Sequence, residues 1–185
     1  MKQQASLREA AQAIAEKAGE QEKLEHQRAI DFYQKEGSAY QSAVQYEKAL
    51  TAYQKAAALM DKAAEPIAWA KAQVDVAFIL HDLARHQEAE PLMREVLRLR
   101  EQHFGPNAPE TAIALNNLAQ LLKATNRLTE AEPLMQRALK VDEASFGPEH
   151  PNVARDLNNL GQLLQATNRL TEAEPLMQRA LKIDE

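Results

Sequence analysis

Apolar side chains recur every three or four residues along most of this chain, which is the spacing of one face of an α-helix. In the third quarter of the chain, Leu115, Leu118 and Leu122 keep this spacing, and Leu128 and Met135 resume it after a short polar break. The same sequence of apolar segment, break and apolar segment occurs again before and after this region. The pattern therefore predicts antiparallel pairs of helices, each pair joined by a tight turn.

Residues at the predicted helix ends agree with these boundaries. Asn126 lies in the polar break, and asparagine tolerates the left-handed conformation that often follows the last turn of a helix. Thr129, followed three residues later by Glu132, predicts a capping box that begins the second helix. Gly147 precedes a proline and predicts the end of the second helix, and Pro151 predicts the start of the next first helix.

The helix pairs are copies of one another. Residues 104–143 and 146–185 are identical at 31 of 40 positions, and residues 124–140 recur unchanged as 166–182. A more diverged copy lies 42 residues upstream, where the Glu-Ala-Glu-Pro-Leu-Met run begins at Glu88. Because the period is far longer than a single helix, the duplicated unit is the helix pair.

We therefore divide the chain into an amino-terminal segment and an array of four repeats. The segment, residues 1–29, has an apolar stripe over residues 7–18 and predicts a capping helix or half of a degenerate repeat, with a solvated extension as the alternative. The array spans residues 30–185, with repeats at about 30–63, 70–103, 112–145 and 154–185.

Composition narrows the class of protein. Aromatic residues make up 5% and apolar residues 45%, and helix formers predominate, which favours an all-α fold. The absence of cysteine excludes disulfides and thiolate chemistry. No apolar run approaches the roughly 18 residues of a membrane span, and the amino terminus lacks the apolar run of a secretory signal, so we expect a cytoplasmic protein that does not bind membranes. The net charge of -5 argues against nucleic acid as a partner.

The repeated motifs resemble the tetratricopeptide repeat family. That family places one small residue in the first helix and two in the second, and 42-residue units with Phe-Gly-Pro, Leu-Asn-Asn-Leu and Glu-Ala-Glu-Pro-Leu look like its kinesin-light-chain-type subgroup. The resemblance implies a right-handed α-solenoid and a noncatalytic protein-interaction module that holds an extended peptide in its concave groove. The matching small residues are Ala119 or Gly161 in the first helix, and Ala131 with Ala138, or Ala173 with Ala180, in the second.

Nothing in the sequence predicts catalysis, a metal site or a cofactor. No two histidines are four residues apart, and His81 and His86, which are five apart, are expected on different helix faces. Carboxylates such as Glu130 and Glu172 recur at the starts of the second helices, where they oppose the helix dipole. The glycines are too scattered to form a loop that cradles phosphate.

The candidate site is instead a surface on the first helices of the repeats. Side chains between the core positions of these helices are expected to face the groove, and their amides can both donate to and accept from a peptide backbone. Three cations among them favour an acidic ligand, and Phe78 is a candidate anchor for an apolar side chain or a contact for the amino-terminal segment. Asn117 and Asn159 alternatively brace neighbouring helices. The predicted peptide-binding residues are Lys71, Phe78, Asn116, Asn117, Gln120, Lys123, Arg155, Asn158, Asn159 and Gln162.

Two other functions remain open at this level. The last predicted helix has no polar cap after it, so it could stack on another chain and make the protein a homo-oligomer. Alternatively, the array is the sensor or regulatory part of a larger bacterial signalling protein.

Overall fold

The computed structural model describes the backbone of residues 2–184 and the side chains of residues 16–184, so most of the stripe predicted at residues 7–18 has side chains outside the described residues. Over residues 2–184 the chain forms helices and no β-strand, which confirms the predicted all-α fold of antiparallel helix pairs. The helices are α1 (Lys2–Ser42), α2 (Tyr46–Leu59), α3 (Pro66–Asp82), α4 (His86–Phe104), α5 (Pro109–Ala124), α6 (Leu128–Phe146), α7 (Pro151–Ala166) and α8 (Leu170–Asp184).

The helices belong to two compact units, residues 1–61 and residues 62–185. In the first unit α1 packs against α2, and α1 runs without a break through the boundary predicted near residue 29. In the second unit each helix from α3 to α8 packs against the next one along the chain. The first helices of its pairs are therefore α3, α5 and α7, and the second helices are α4, α6 and α8.

All four helix pairs use the same turn. The second residue after the first helix has a left-handed backbone in each pair, with φ of 58° at Val44, 58° at Ala84, 59° at Asn126 and 60° at Asn168. The next amide donates to a carbonyl five residues back, as in the 2.9 Å bond from the Arg127 amide to the Leu122 carbonyl. This is a Schellman ending, which satisfies carbonyls at the end of the first helix.

The second helices begin differently from the sequence prediction. The proposed capping box of Thr129 and Glu132 is wrong, because α6 already begins at Leu128 and the capping position is Arg127, whose side chain makes no capping hydrogen bond. Instead, Arg127 donates two bonds to Glu130 in the first turn, at 2.7 and 2.6 Å. The start of α6 therefore has an ion pair between Arg127 and Glu130 in the place of the hydroxyl cap that the sequence predicted.

Small residues allow the two helices of each pair to approach closely. Ala112 and Leu115 of α5 pack with Ala138 and Val141 of α6 in one fully or nearly buried cluster. A similar cluster joins α7 and α8 and also receives Leu139 from α6. Because these clusters continue from one pair to the next, burial of apolar area between neighbours is the main source of stability.

Ion pairs connect consecutive second helices at matching positions. Arg127 Nη1 lies 2.6 Å from Glu90 of α4, and Arg169 Nη1 lies 2.8 Å from Glu132 of α6. These side chains are partly exposed, so each pair is worth only about 0–1 kcal/mol. Their repetition nevertheless identifies one stacking geometry for the pairs in the second unit. A second set, Arg137 with Glu101 and Arg179 with Glu143, lies at 2.6 Å in both cases.

Two glycines in the first helices give a matched test of this close approach. A Cβ at Gly37 would lie 2.8 Å from the ring of Tyr53, whereas a Cβ at Gly161 would lie 2.7 Å from Cγ of the flexible Met177. We expect Gly37→Ala to lower the free energy of unfolding by about 1–3 kcal/mol, because the ring cannot yield. Gly161→Ala should change it by less than about 1 kcal/mol, because the third repeat already holds the pair Ala119 and Met135 there.

Urea denaturation of both variants measures these changes. Equal losses of stability in the two variants would contradict the prediction, because they would show that Tyr53 accommodates an added methyl group as well as Met177 does.

Candidate functional site

The first helices of the second unit lie side by side. Asn116 of α5 donates from Nδ2 to Asp156 Oδ1 of α7 at 2.6 Å, and Lys123 of α5 donates from Nζ to Gln162 Oε1 of α7 at 2.9 Å. The two bonds join residues 40 and 39 positions apart, almost one full repeat. Side chains at matching positions of successive first helices are therefore neighbours.

We call the exposed side of α3, α5 and α7 the first-helix face. Four predicted residues are exposed on these helices, five are half-buried, and Asn116 is buried with 6% of its surface exposed. The exposed and half-buried residues define the face: Lys71, Phe78, Asn117, Gln120, Lys123, Arg155, Asn158, Asn159 and Gln162.

Asn116 lies inside the helix packing rather than on this face. Its amide group donates to the fully buried carboxylate of Asp156, so its donor is already engaged. By spacing alone, the sequence predicted the same groove-facing position for Asn116 and for its copy Asn158. Asn158, however, is only half-buried. Asn116 has Asp156 of the following first helix as its partner, and within the described residues no further first helix follows α7 to give Asn158 an equivalent one.

Arg155 is also engaged by acids of the interior. Its Nη2 lies 3.1 Å from Asp142 Oδ2 of α6 and 2.9 Å from Asp156 Oδ1 of α7, and both carboxylates are fully buried. The arginine was predicted as a cation available to a ligand. Its positive charge is instead compensated by these two buried carboxylates. The first-helix face therefore carries less positive charge than the sequence predicted.

Sequence reasoning did not find Asp142 or Asp156. The signal was present at residue 156, where the third repeat has Ala114 and the fourth has a charged side chain in an otherwise apolar stripe. Burial and the neighbouring carboxylate raise the pKa of Asp142 to about 6. Burial also raises the pKa of Asp156, against the opposing effect of Arg155.

The other two cations of the face differ in their surroundings. Lys71 is exposed and lies close enough to Asp75 to oppose the burial that raises the pKa of this carboxyl. Lys123 is half-buried, which lowers its pKa, and its ammonium group is hydrogen-bonded to Gln162. The face is thus mixed in charge rather than strongly basic.

An apolar pocket opens between α3, α4 and α5. Its volume is about 70 Å³, and the aromatic ring of Phe78 at its edge is 40% exposed. Amide side chains from α5 stand beside the apolar ones, so the pocket combines a place for a hydrophobic group with hydrogen-bonding groups. It is lined by Phe78, His81, Met93, Asn117, Gln120 and Leu121.

The contact between the next two first helices, α5 and α7, has polar groups at the positions that match those of Phe78 and His81. One repeat later, Gln120 replaces Phe78 and Lys123 replaces His81. There the lysine is hydrogen-bonded across to Gln162 of α7. The apolar character of the first pocket therefore comes from differences between the copies, not from the repeat itself.

Two histidines meet beside this pocket. The ring centroids of His81 and His86 lie 5.0 Å apart, although a spacing of five residues had placed them on different helix faces. That expectation was wrong because it assumed one continuous helix, whereas α3 ends at Asp82 and α4 begins at His86. Among the described residues, no group of three or more histidine, cysteine or acidic side chains has the arrangement of a metal site.

The helix pairs and their shared motifs identify the class of protein. The tetratricopeptide repeat family model matches residues 70–144 and 122–185, which together are more than half of the chain. The chain belongs to the tetratricopeptide repeat family. No protein of curated function is significantly similar to it in sequence.

Solved structures with the same fold include proteins of the kinesin-light-chain type. BtubC (BKLC) from P. vanneervenii is 22% identical with a TM-score of 0.73, and the match covers 84% of this chain and 63% of BtubC. A kinesin light chain from Podosopora anserina with nearly identical TPR-like repeats is 20% identical with a TM-score of 0.71, covering 84% and 74%. The apo form of RapI is 16% identical with a TM-score of 0.73, covering 84% and 56%.

The match thus spans less than two thirds of BtubC and of RapI. At these identities the likeness shows the fold. Between Lys2 and Asp184, none of the helices is both long enough and apolar enough to cross a membrane.

The two neighbouring asparagines of α5, Asn116 and Asn117, give a test of the different roles that the structure assigns to them. We expect Asn116→Ala to lower the free energy of unfolding by about 1–3 kcal/mol, because it removes a donor from a buried carboxylate. Asn117→Ala should cost less than about 0.5 kcal/mol, because Asn117 is only half-buried at the pocket. Urea denaturation measures both, and equal effects would contradict the different roles assigned to the two residues.

Proposed function

We propose that this protein is a noncatalytic interaction module that binds an extended peptide on its first-helix face. The family is generally one of protein-binding repeats, and the face offers amides at regular spacing for a peptide backbone. The observation that supports the proposal most directly is the pocket at Phe78, where an exposed aromatic ring, apolar walls and two amide side chains converge. Such a combination is typical of ligand sites.

The chemistry of the face favours a particular kind of peptide. The pocket of about 70 Å³ suits one compact aliphatic side chain, such as that of valine or leucine, in the centre of the bound segment. Lys71 and Lys123 favour an acidic residue beside it, whereas Arg155 contributes little because Asp142 and Asp156 compensate it. We therefore place the affinity mainly in the apolar anchor and assign the acidic residue a secondary role.

An array of synthetic peptides tests this proposal. Each peptide carries one central residue, aliphatic, aromatic, acidic or basic, in a background of glycine and serine, with and without a flanking aspartate. We expect the wild type to retain the aliphatic peptides and Phe78→Gln to bind them about tenfold more weakly, because one apolar contact is worth about 1–3 kcal/mol. Fluorescence anisotropy with the retained peptides gives the dissociation constants.

The chain offers a matched control for this substitution. Phe104 is similarly exposed, but it lies at the end of α4 and outside the residues that line the pocket. Phe104→Gln should bind the peptides as the wild type does. If both variants bind as the wild type does, the pocket is not the anchor, and if the wild type retains no peptide, the first-helix face does not bind extended peptides.

A second candidate function is self-association through α8, and one comparison within the chain favours it. Residues 128–140 of α6 recur unchanged as residues 170–182 of α8, yet Leu139 packs against the α7–α8 cluster while its copy Leu181 is 62% exposed. The exposed side of α8 therefore carries the same residues that α6 uses to receive a neighbouring helix pair.

Light scattering over a range of concentrations tests this second candidate. We expect the mean mass to rise with concentration in the wild type and to stay at one chain in Leu181→Lys, because a charge would enter an apolar contact. Leu24→Lys, at an exposed leucine of α1, serves as the control and should behave as the wild type does. A constant mass of one chain in the wild type would exclude self-association.

A further inference from the structure

The contact between α6 and α7 contains two buried carboxyl groups. Asp142 of α6 and Asp156 of α7 are both fully buried, and both lie within reach of one atom, Arg155 Nη2, at 3.1 and 2.9 Å. One guanidinium group therefore holds the two carboxyl groups next to each other. The third polar neighbour is Asn116 of α5, which donates to Asp156 Oδ1 at 2.6 Å.

The donors around these carboxyl groups do not suffice for two carboxylates. Asp142 Oδ1 and Asp156 Oδ2 are buried and have no hydrogen-bond partner, and neither does Asn116 Oδ1. If both acids were ionised, the cluster would carry one uncompensated negative charge in the interior, because Arg155 supplies one positive charge. A buried charge and buried acceptors without donors are each costly.

A single proton removes the excess negative charge and supplies a donor between the two carboxyl groups. A protonated Asp142 becomes a hydrogen-bond donor, and the carboxylate of Asp156 beside it has an oxygen without a donor. The cluster is then neutral, with Arg155 balancing the one remaining carboxylate. Of the three buried acceptors without a partner, only Asn116 Oδ1 then lacks a donor.

We propose that Asp142 and Asp156 form a proton-sharing pair that couples the packing of α6 against α7 to pH, so that this contact is stable with the proton bound and loosened without it. The proton comes from solvent and returns to it. Two further groups act on the pair, Arg155 on α7 and Asn116 on α5, in addition to the mutual repulsion of the two acids.

The direction of the pH dependence follows from the titration of Asp142. Its pKa is raised to about 6 in the folded protein from 3.8, about a hundredfold gain in proton affinity. The folded state therefore binds the proton where the unfolded state has lost it, between about pH 4 and 6. Stability falls as the pH rises through this range and levels off above it, opposite to the behaviour of a carboxylate stabilised by an ion pair.

This arrangement is specific to one junction among the described repeats. One repeat earlier, the positions of Asp142 and Asp156 hold Arg100 and Ala114. One repeat later, the position of Asp142 holds Asp184, which is exposed. The duplicated chain thus provides an aspartate at the same repeat position that lacks the buried environment.

Thermal unfolding between pH 5 and 7.5, followed by circular dichroism, tests the proposal with Asp142→Asn and the control Asp184→Asn. Asparagine imitates the protonated acid, since it is neutral and can donate to Asp156. We expect the melting temperature of the wild type to fall by about 3–5 °C relative to that of Asp142→Asn over this range, about a tenfold change in the folding equilibrium. Asp184→Asn should follow the wild type.

Parallel melting curves for the wild type and Asp142→Asn across the range would overturn the proposal. A second measurement needs no variant: carbon NMR of the aspartate side chains follows each carboxyl group in the wild type directly. The expected result is one aspartate, assigned to Asp142, that titrates near pH 6. Titration of every aspartate below about pH 4.5 would refute the proton-sharing pair even if Asp142→Asn failed to fold.

Discussion

Close contact between the two helices of each pair is the constraint on which the rest of the structure depends. Ala119, Ala131 and Ala138 are fully buried, and the side chains around them fill the space that their small size leaves. A larger residue at these positions would separate the helices and disturb the clusters that pass from one pair to the next. The same contact also determines which side of each first helix is covered, and it therefore determines the first-helix face.

Because the repeats are copies, their function depends on the positions at which they differ. The helix-pair contact and the Arg–Glu pairs between second helices recur from repeat to repeat. They explain how the helix pairs stack, but they do not distinguish one repeat from another. Phe78 against Gln120, and Ala114 against Asp156, are departures that change one junction each. The first departure makes a pocket apolar, and the second brings a carboxyl group into the interior.

The sequence predicted the helices, the turn asparagines and the small contact positions, because these follow from local spacing and backbone preference. It did not predict the contacts between helices. Asn116 and Asn158 are indistinguishable by spacing, and only the position of Asp156 makes Asn116 a buried donor. His81 and His86 meet because a turn lies between them, which a spacing rule for one helix ignores. Local patterns thus identify elements, whereas side-chain partners depend on residues a full repeat away.

The buried polar cluster also bears on how nearly identical repeats avoid pairing in the wrong order. Apolar contacts alone distinguish poorly between α5 and α7, since most of their core residues are shared. If α6 packed against a copy of α5 in the place of α7, Asp142 would face the position of Ala114 and lose Arg155. That arrangement would remove the donor that Asp142 Oδ2 has in Arg155, and a buried acceptor without a donor is costly in a protein interior. The cluster therefore favours α7 over a copy of α5 as the neighbour of α6, a distinction that the shared apolar residues do not make.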